Sequence, residues 1–310
     1  MTTHAMTPRR RGIRGRTVTP WLFAAPAIVL FVLFLLIPIA YSIFLSFRGE
    51  RVEGAGAFGR RVEGFVGFEN YIAALTDSEF LQGFGRIGLY GLIAIPAVLG
   101  LALLFALLLD APRSRARRFS RTAIFIPYAV PGVIASLLWG FMYLPSTSPF
   151  SFIARELGGS SIPFLDGPLL YFSLANIALW TGVGFNMIII YTSLRSIPTE
   201  IYEAARLDGA GEWTIALRIK IPLVAPAIVL TGLFSVIGTL QFYSEPQTLR
   251  PLTNTISSTW VPLMWIYQEA FVNANLGGAS AASVVLAIAT LVLSVLILRF
   301  FQRRTFGDSE

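Results

Sequence analysis

Acidic, glycine and proline residues are concentrated in one short segment of an otherwise apolar chain. The segment, residues 197–222, reads IPTEIYEAARLDGAGEWTIALRIKIP. Its acids have no histidine or cysteine beside them, and no Ser, His and Asp set is placed for hydrolysis. These residue types predict polar contacts and tight turns rather than catalysis.

The rest of the chain also lacks the residues that catalysis or metal binding needs. Cysteine is absent and the single histidine, His4, lies in a polar tail, so no thiolate or histidine metal site is expected. No G-x-x-x-x-G-K-[ST] phosphate loop occurs, so this chain is not expected to bind and hydrolyse ATP itself. The glycine-rich stretch GAGAFGR, residues 54–60, lacks the strand-turn-helix context of a nucleotide site. We expect no metal, no bound cofactor and no enzyme activity in this chain.

Composition predicts a membrane protein. Of 310 residues, 55% are hydrophobic and only 13% are charged, and the mean hydropathy is +0.69. Charged residues make up about a quarter of a typical soluble domain, so a soluble fold of this length would expose too much apolar surface. The net charge of +7 does not predict nucleic-acid binding, because most basic residues flank apolar runs, where they act as topology signals.

Six apolar runs are long enough to cross a bilayer, which takes about 20 helical residues. A further patch, WVPLMWIYQEAF at 260–271, is too short to span and predicts an interfacial or buried helix. Prolines at 26, 38, 96, 127, 131 and 226 predict kinks. The predicted fold is therefore all-α, with six transmembrane helices. The runs are Trp21–Phe47, Gly83–Leu109, Thr122–Leu144, Leu169–Leu194, Leu223–Tyr243 and Ala279–Phe301.

Basic residues predict the orientation of these spans. With six spans, both termini and the loops 110–121 and 195–222 share one side, and these segments together with Arg299 at the end of the sixth span hold 17 of the 24 basic residues. That side is expected to be cytoplasmic, which gives an N-in, C-in topology. The predicted segments are a cytoplasmic tail 1–20, a first helix 21–47, an external loop 48–82, a five-helix core 83–301 with an external segment 246–278, and a tail 302–310.

The polar segment predicts two short helices around a turn. Pro198 suits a first helical turn, where its missing N–H does no harm. Asp208-Gly209 signals a helix end, because glycine adopts left-handed angles without steric cost. A second helix restarts near Gly211 and ends by Pro222. From the residues alone, this hairpin is either a plain connection between two spans or a rigid knob that docks on a partner.

The segment resembles the EAA loop of permease subunits in binding-protein-dependent ABC importers. Lys220 stands where a leucine or threonine is more usual in that loop. The resemblance extends to the stretches 65–80, 121–139 and 179–198, which are similar to segments of maltose-type and glycerol-3-phosphate-type sugar permeases. The residues that carry it in the loop are Glu203-Ala204-Ala205, Asp208-Gly209-Ala210, Trp213 and IKIPLVAP at 219–226.

This resemblance implies a type I ABC importer permease fold with cytoplasmic coupling helices between spans 4 and 5. The segment would sit in a cleft of a cytoplasmic ATPase and move as that ATPase binds ATP and Mg. The implied partners are a second, related permease, two ATP-binding cassette subunits, an external solute-binding protein and the lipid of a bacterial inner membrane. The residues implied in coupling are Tyr202, Glu203, Ala204, Ala205, Leu207, Asp208, Gly209, Ala210 and Trp213.

Polar and aromatic side chains inside the predicted spans are candidates for a solute path. Sugars present apolar ring faces and many hydroxyls, which suit aromatic rings beside amides. The alternative is that such side chains only hold helices together. Gly182, Gly184 and Gly238 are expected to be close-packing positions. The path candidates are Asn176, Phe185, Asn186, Tyr191, Gln241 and Tyr243, with Ser235 and Phe242 nearby.

An ion-coupled secondary transporter is the main alternative to an ATP-driven importer. Such carriers hold charged residues at mid-membrane, whereas those of this chain fall near predicted span ends. This placement disfavours proton coupling, although polar side chains and backbone could still bind sodium. A membrane enzyme is a weaker alternative, because the chain has no set of residues arranged for catalysis. A purely structural membrane subunit is a further alternative, which ATP-dependent uptake would exclude. The charged residues at span ends are Asp110, Arg121, Arg195, Glu245 and Arg299.

Overall fold

A computed structural model describes residues 18–53, 60–111 and 116–305. Within these residues, four helical stretches are long and apolar enough to cross a membrane, or up to six if each of two bent helix pairs is one span. Three predicted features lie wholly or partly outside the described residues. They are most of both tails (with His4), the glycine-rich stretch 54–59 and part of the 110–121 loop.

The first predicted span is one continuous helical rod. It consists of α1 (Val18–Phe31), a π-helical segment (Val32–Leu36) and α2 (Ile37–Ser46). Pro38 has no N–H to donate to the carbonyl four residues before it, and the wider π-helical turns lie directly before this proline. The apolar side chains of the rod are exposed, as expected of a helix that faces lipid.

The predicted external loop 48–82 contains a departure from an all-α fold. β1 (Arg48–Glu53) pairs antiparallel with β2 (Arg60–Phe65), with Arg48 opposite Phe65, and α3 (Glu69–Thr76) follows. The sequence analysis missed this hairpin because RGERVE and RRVEGF lack the sustained apolar alternation that signals a half-buried strand.

The second predicted span is unbroken and the third is not. Asp77 caps the start of α4 (Ser78–Asp110), since its side chain accepts from the Phe80 N–H at 2.8 Å. α5 (Arg117–Phe125) continues as a 3-10 turn (Ile126–Ala129), which meets α6 (Gly132–Tyr143) at an angle of 94°. Val130 between them is extended, because a residue before proline is biased away from the helical region. α7 (Pro149–Glu156) follows α6.

The fourth predicted span is continuous and the fifth is bent. α8 (Leu169–Arg195) matches the fourth run, and α9 (Thr199–Leu207) lies in the polar segment. α10 (Glu212–Ile215), a π-helical segment and α11 (Ile221–Leu223) form one helix that meets α12 (Ala225–Leu240) at 64°. The bend lies at Val224, because Pro226 has no N–H to offer the carbonyl of Pro222 and its ring crowds that oxygen.

The last part of the chain contains two short helices and a final span. α13 (Ser244–Leu249) is followed by α14 (Pro262–Tyr267), which continues as a π-helical segment (Gln268–Val272). Pro262, Met264 and Trp265 of α14 are buried, whereas Phe271 is 72% exposed, so the predicted short helix is present and only its first part is buried. α15 (Leu276–Thr305) is the sixth predicted span.

Close contacts between helices depend on one of the three predicted glycines. A side chain at Gly184 in α8 would collide with the carbonyl oxygen of Ile124 and with Cα of Phe125, so the close-packing prediction is confirmed there. Gly182 makes only an ordinary contact with Val98, at 3.6 Å from the Cβ position. The prediction is wrong for Gly238, where nothing lies within 4 Å of that position.

Candidate functional site

The segment 199–223 folds as the predicted pair of helices around a turn, and we call it the 199–223 hairpin. Pro198 is the residue before α9, one position outside the first helical turn in which the sequence predicted it. Gly209 has a φ of +82°, and the Ala210 N–H donates to the Ala205 carbonyl at 2.9 Å, which closes the end of α9. Arg206 Nε lies 2.9 Å from Glu212 Oε1 and links the two helices.

One face of the hairpin is open. Leu207 is 89% exposed and Trp213 is 76% exposed, although both are large and apolar. The exposed residues in the coupling set also include Glu203, Ala204, Asp208 and Gly209, whereas Ala205 and Ala210 are partly buried. Large apolar groups beside exposed carboxylates at a tight turn form a surface suited to a partner protein.

The opposite side of the hairpin is held by a buried ion pair that the sequence analysis did not identify. Lys220 Nζ lies 2.5 Å from Asp110 Oδ2, and the two side chains are 6% and 4% exposed. Arg195 at the end of α8 lies 3.9 Å from the other oxygen of Asp110. These contacts join the ends of α4 and α8 to the hairpin. Lys220 is the only lysine in the chain, and its departure from the EAA pattern was the one available signal.

Tyr202 belongs to this buried cluster rather than to the open face. It is 8% exposed, and Lys220 Nζ lies 4.9 Å from the centre of its ring. Burial raises the pKa of the Tyr202 phenol, Asp110 raises it further, and Arg195 lowers it. The phenol is therefore neutral at physiological pH, and its hydroxyl has no hydrogen-bond partner. The geometry separates Tyr202 from the other residues of the predicted coupling set.

A cavity of about 530 Å³ lies among α4, α8, α12, α13 and the 3-10 turn 126–129, and we call it the central cavity. Of the predicted path residues, Phe185, Asn186 and Gln241 line it, together with Ser235 and Phe242. Gly182 and Gly238 also line it, which is why neither is tightly packed.

The other three path candidates lie elsewhere. Asn176 Nδ2 donates to the Tyr143 hydroxyl at 2.8 Å, so this amide holds two helices together. Tyr191 packs against the buried cluster between α4 and α8. Tyr243 lines a second cavity, of about 990 Å³, between α12, α14 and α15.

The sequence analysis missed several residues that line the central cavity. Tyr128 stacks on Phe185 with ring centres 4.9 Å apart, and Tyr90 stacks on Phe242 at 4.2 Å. Glu245 brings a carboxylate to the wall, although its sequence position indicated only a span end. Among the described residues, no group of His, Cys, Asp and Glu is arranged to hold a metal ion. This mixture of aromatic faces, an amide and a carboxylate can bind a polar organic molecule.

Comparison with known proteins assigns the chain to a family. The sequence profile described as binding-protein-dependent transport system inner membrane component matches residues 99–306. The chain belongs to this family. It is therefore a multi-pass membrane permease subunit of an ABC importer, and not an enzyme, since ATP hydrolysis resides in a separate ATPase subunit.

Relatives agree with this assignment along nearly the whole permease. The sn-glycerol-3-phosphate transport system permease protein UgpA of Agrobacterium fabrum is 30% identical over 93% of this chain and 96% of its own length. The lactose transport system permease protein LacF of Rhizobium radiobacter is 31% identical over 97% and 99%. Nothing in these matches supports the ion-coupled alternative.

A solved structure shares the fold of this permease. It is a chain from a bacterial alginate ABC transporter in complex with an alginate pentasaccharide-bound periplasmic protein, with a TM-score of 0.78 over 94% of this chain and 96% of that one. Sequence identity to it is 21%. The two chains therefore share one fold over nearly their whole length.

Proposed function

We propose that this permease forms half of a translocation path for a carbohydrate or a related polyhydroxylated solute in a bacterial inner membrane. The other half is a second, related permease, and two ATPase subunits dock below. A solute-binding protein delivers the solute from outside. ATP and Mg bind to the ATPase subunits rather than to this chain.

The observation that carries this proposal is the 199–223 hairpin. Its open face presents Leu207, Trp213 and the carboxylates of Glu203 and Asp208. Its other face is fixed to α4 by the Asp110–Lys220 pair. A rigid body that is exposed on one side and fixed on the other transmits motion from a docked ATPase to the spans.

The proposed topology has six spans with both termini in the cytoplasm. Each of the two bent helix pairs then counts as one span, and the excess of basic residues marks the cytoplasmic side. This arrangement brings the 199–223 hairpin to the side where ATP is available.

The carbohydrate assignment is supported by the central cavity and by relatives. Stacked aromatic rings beside Asn186 and Gln241 suit the apolar faces and hydroxyls of a sugar. The relatives include permeases named for lactose and for sn-glycerol-3-phosphate. The carbohydrate assignment is tested by measuring ATP hydrolysis by the assembled importer in the presence of mono- and oligosaccharides and a glycerophosphodiester. Stimulation by a sugar supports the proposal, and flat activity with the ATPase still bound would overturn the carbohydrate assignment.

Charge reversal on the open face tests the coupling role. We expect Glu203→Arg to abolish ATP-dependent uptake while leaving membrane insertion intact, because Glu203 is exposed and contributes to the docking face. Gly209→Asp should act in the same way, since its φ of +82° favours glycine. Uptake and the amount of protein in the membrane are measured in the same cells.

Glu200→Arg is the matched control for Glu203→Arg. Glu200 lies in the first turn of the same helix, is also exposed, and is outside the Glu-Ala-Ala pattern. It should retain most of the uptake. Normal uptake in both Glu203→Arg and Gly209→Asp would contradict the coupling role of the hairpin.

A further inference from the structure

The described lining of the central cavity carries one carboxylate and no basic side chain. Glu245 is the acid, and Arg, Lys and His are absent from the lining residues that the structure describes. A side chain on Gly132 would approach Glu245 Oε1 at 3.4 Å, so the carboxylate lies beside the start of α6. Burial raises the pKa of the Glu245 carboxyl, whereas its backbone hydrogen bond lowers that pKa, and the partial positive charge at the first turn of α6 favours the ionised form. An ionised Glu245 therefore gives the described lining a negative potential that no basic side chain offsets.

A second acceptor in the same cavity has no partner. Asn186 is 6% exposed, and its Nδ2 donates to the Gly182 carbonyl at 2.8 Å. Its Oδ1 is buried without a hydrogen-bond partner. An unpaired buried acceptor costs free energy until a donor reaches it. Asn186 and Glu245 can therefore both accept hydrogen bonds from the donor groups of a molecule in the cavity.

The rest of the wall is suited to a ring with flat apolar faces. Tyr128 and Phe185 are nearly parallel, with an interplanar angle of 16°, and Tyr90 and Phe242 are nearly parallel at 17°. The faces of such rings bind the C–H faces of a pyranose while its hydroxyls turn toward polar groups.

We infer that Glu245 makes the central cavity selective for a neutral, hydroxyl-rich solute and against an anionic one, such as a sugar phosphate or a uronate. A neutral polyol donates O–H groups to Asn186 and Glu245 without adding charge. An anion would bring like charge beside Glu245, where the described lining has no basic side chain to pair with it. This inference rests on the proposed carbohydrate function and names the charge class of the solute. It separates this permease from relatives named for sn-glycerol-3-phosphate.

The absence of cysteine allows the potential of the cavity to be measured directly. The chain contains no cysteine, so Ser235→Cys places a single thiol in the lining. The full chain is purified in detergent and labelled with a cationic and an anionic methanethiosulfonate reagent of similar size. Ser160→Cys, at an exposed position on the surface, supplies the intrinsic ratio of the two labelling rates.

We expect the ratio of the cationic to the anionic labelling rate to be at least about tenfold higher at Ser235→Cys than at Ser160→Cys. The reason is that a cleft lined by one sign of charge concentrates counter-ions. Glu245→Gln in the Ser235→Cys background should return the ratio to the control value, and Glu245→Asp should keep the preference. Equal normalised rates, or a preference that survives Glu245→Gln, would overturn the inference.

A solute panel on the assembled importer completes the test. Stimulation of ATP hydrolysis by a neutral disaccharide, and not by its phosphate or by sn-glycerol 3-phosphate, supports the inference. Stimulation by the anionic compounds would overturn it. If no sugar stimulates hydrolysis while the labelling preference holds, the negative potential of the cavity stands and the proposed carbohydrate function fails. The two failures are therefore distinguishable.

Discussion

At the scale of single residues, the chemistry of this permease is concentrated in two kinds of contact. Asp110 and Lys220 form a buried ion pair at the base of the 199–223 hairpin. Glu245 instead lines a cavity, and the buried Oδ1 of Asn186 in the same wall has no hydrogen-bond partner. The first contact satisfies charge within the protein, so it serves structure, whereas the second leaves hydrogen-bonding capacity for a ligand.

Removal of one member of the ion pair should destabilise the permease strongly. Asp110→Asn leaves Lys220 buried without its carboxylate, and breaking a buried pair costs about 3–5 kcal/mol. The thermal unfolding midpoint of the purified chain should fall accordingly. Asp110→Leu combined with Lys220→Met removes both charges and should recover most of that loss. A single Asp110→Asn variant as stable as the unsubstituted permease would show that the pair contributes nothing.

At the scale of elements, proline and glycine decide where helices break and where they touch. Pro131 and Pro226 coincide with bends of 94° and 64°, whereas Pro96 lies inside the unbroken α4. Gly184 allows the backbone near Ile124 to approach α8. The same residue type therefore has different effects, and neighbouring elements determine which effect occurs.

Alanine at two helical glycines should change stability in opposite directions. Gly184→Ala places a methyl group against the Ile124 carbonyl and should cost about 1–3 kcal/mol, because the two backbones must separate. Gly238→Ala meets nothing within 4 Å and should gain up to about 1 kcal/mol from the higher helix propensity of alanine. Thermal unfolding of the two variants side by side is the measurement. A loss at Gly238→Ala equal to that at Gly184→Ala would refute the contact argument.

At the scale of the whole molecule, exposed apolar surface divides by location. The first helical rod exposes side chains such as Phe23 and Phe34, as membrane contact requires. Trp213 is equally exposed but lies among charged residues on the 199–223 hairpin, outside any apolar run. Lipid contact explains the first group of exposed residues, whereas we propose that a protein partner covers Trp213.

Trp213→Ser should weaken docking of the ATPase without destabilising the permease. A buried tryptophan in an interface contributes about 2 kcal/mol or more, which corresponds to roughly 30-fold in affinity. Co-purification and binding titration of the ATPase measure the change. Leu157→Ser is the control, since Leu157 is 83% exposed on the loop that follows α7. Unchanged ATPase affinity in Trp213→Ser would exclude this side chain from the interface.

The sequence by itself determined the membrane class, the apolar runs and the pair of short helices around a turn at 199–223. These features depend on local properties, because span length, proline positions and the Asp208-Gly209 turn are readable from neighbouring residues. The bends in the third and fifth spans were predicted only as kinks, since the size of an angle depends on packing. The hairpin of β1 and β2 was missed because its strands have little apolar alternation.

Only the tertiary structure decided which polar residues meet. Asp110 and Lys220 are 110 positions apart, so no local pattern pairs them. Asn176 and Asn186 lie on the same helix and have the same side chain, yet one joins Tyr143 and the other faces the central cavity. The physical reason is that hydrogen bonds and ion pairs act over a few ångströms in space. Hydrophobic length and turn preference, by contrast, act along the chain and can be read before it folds.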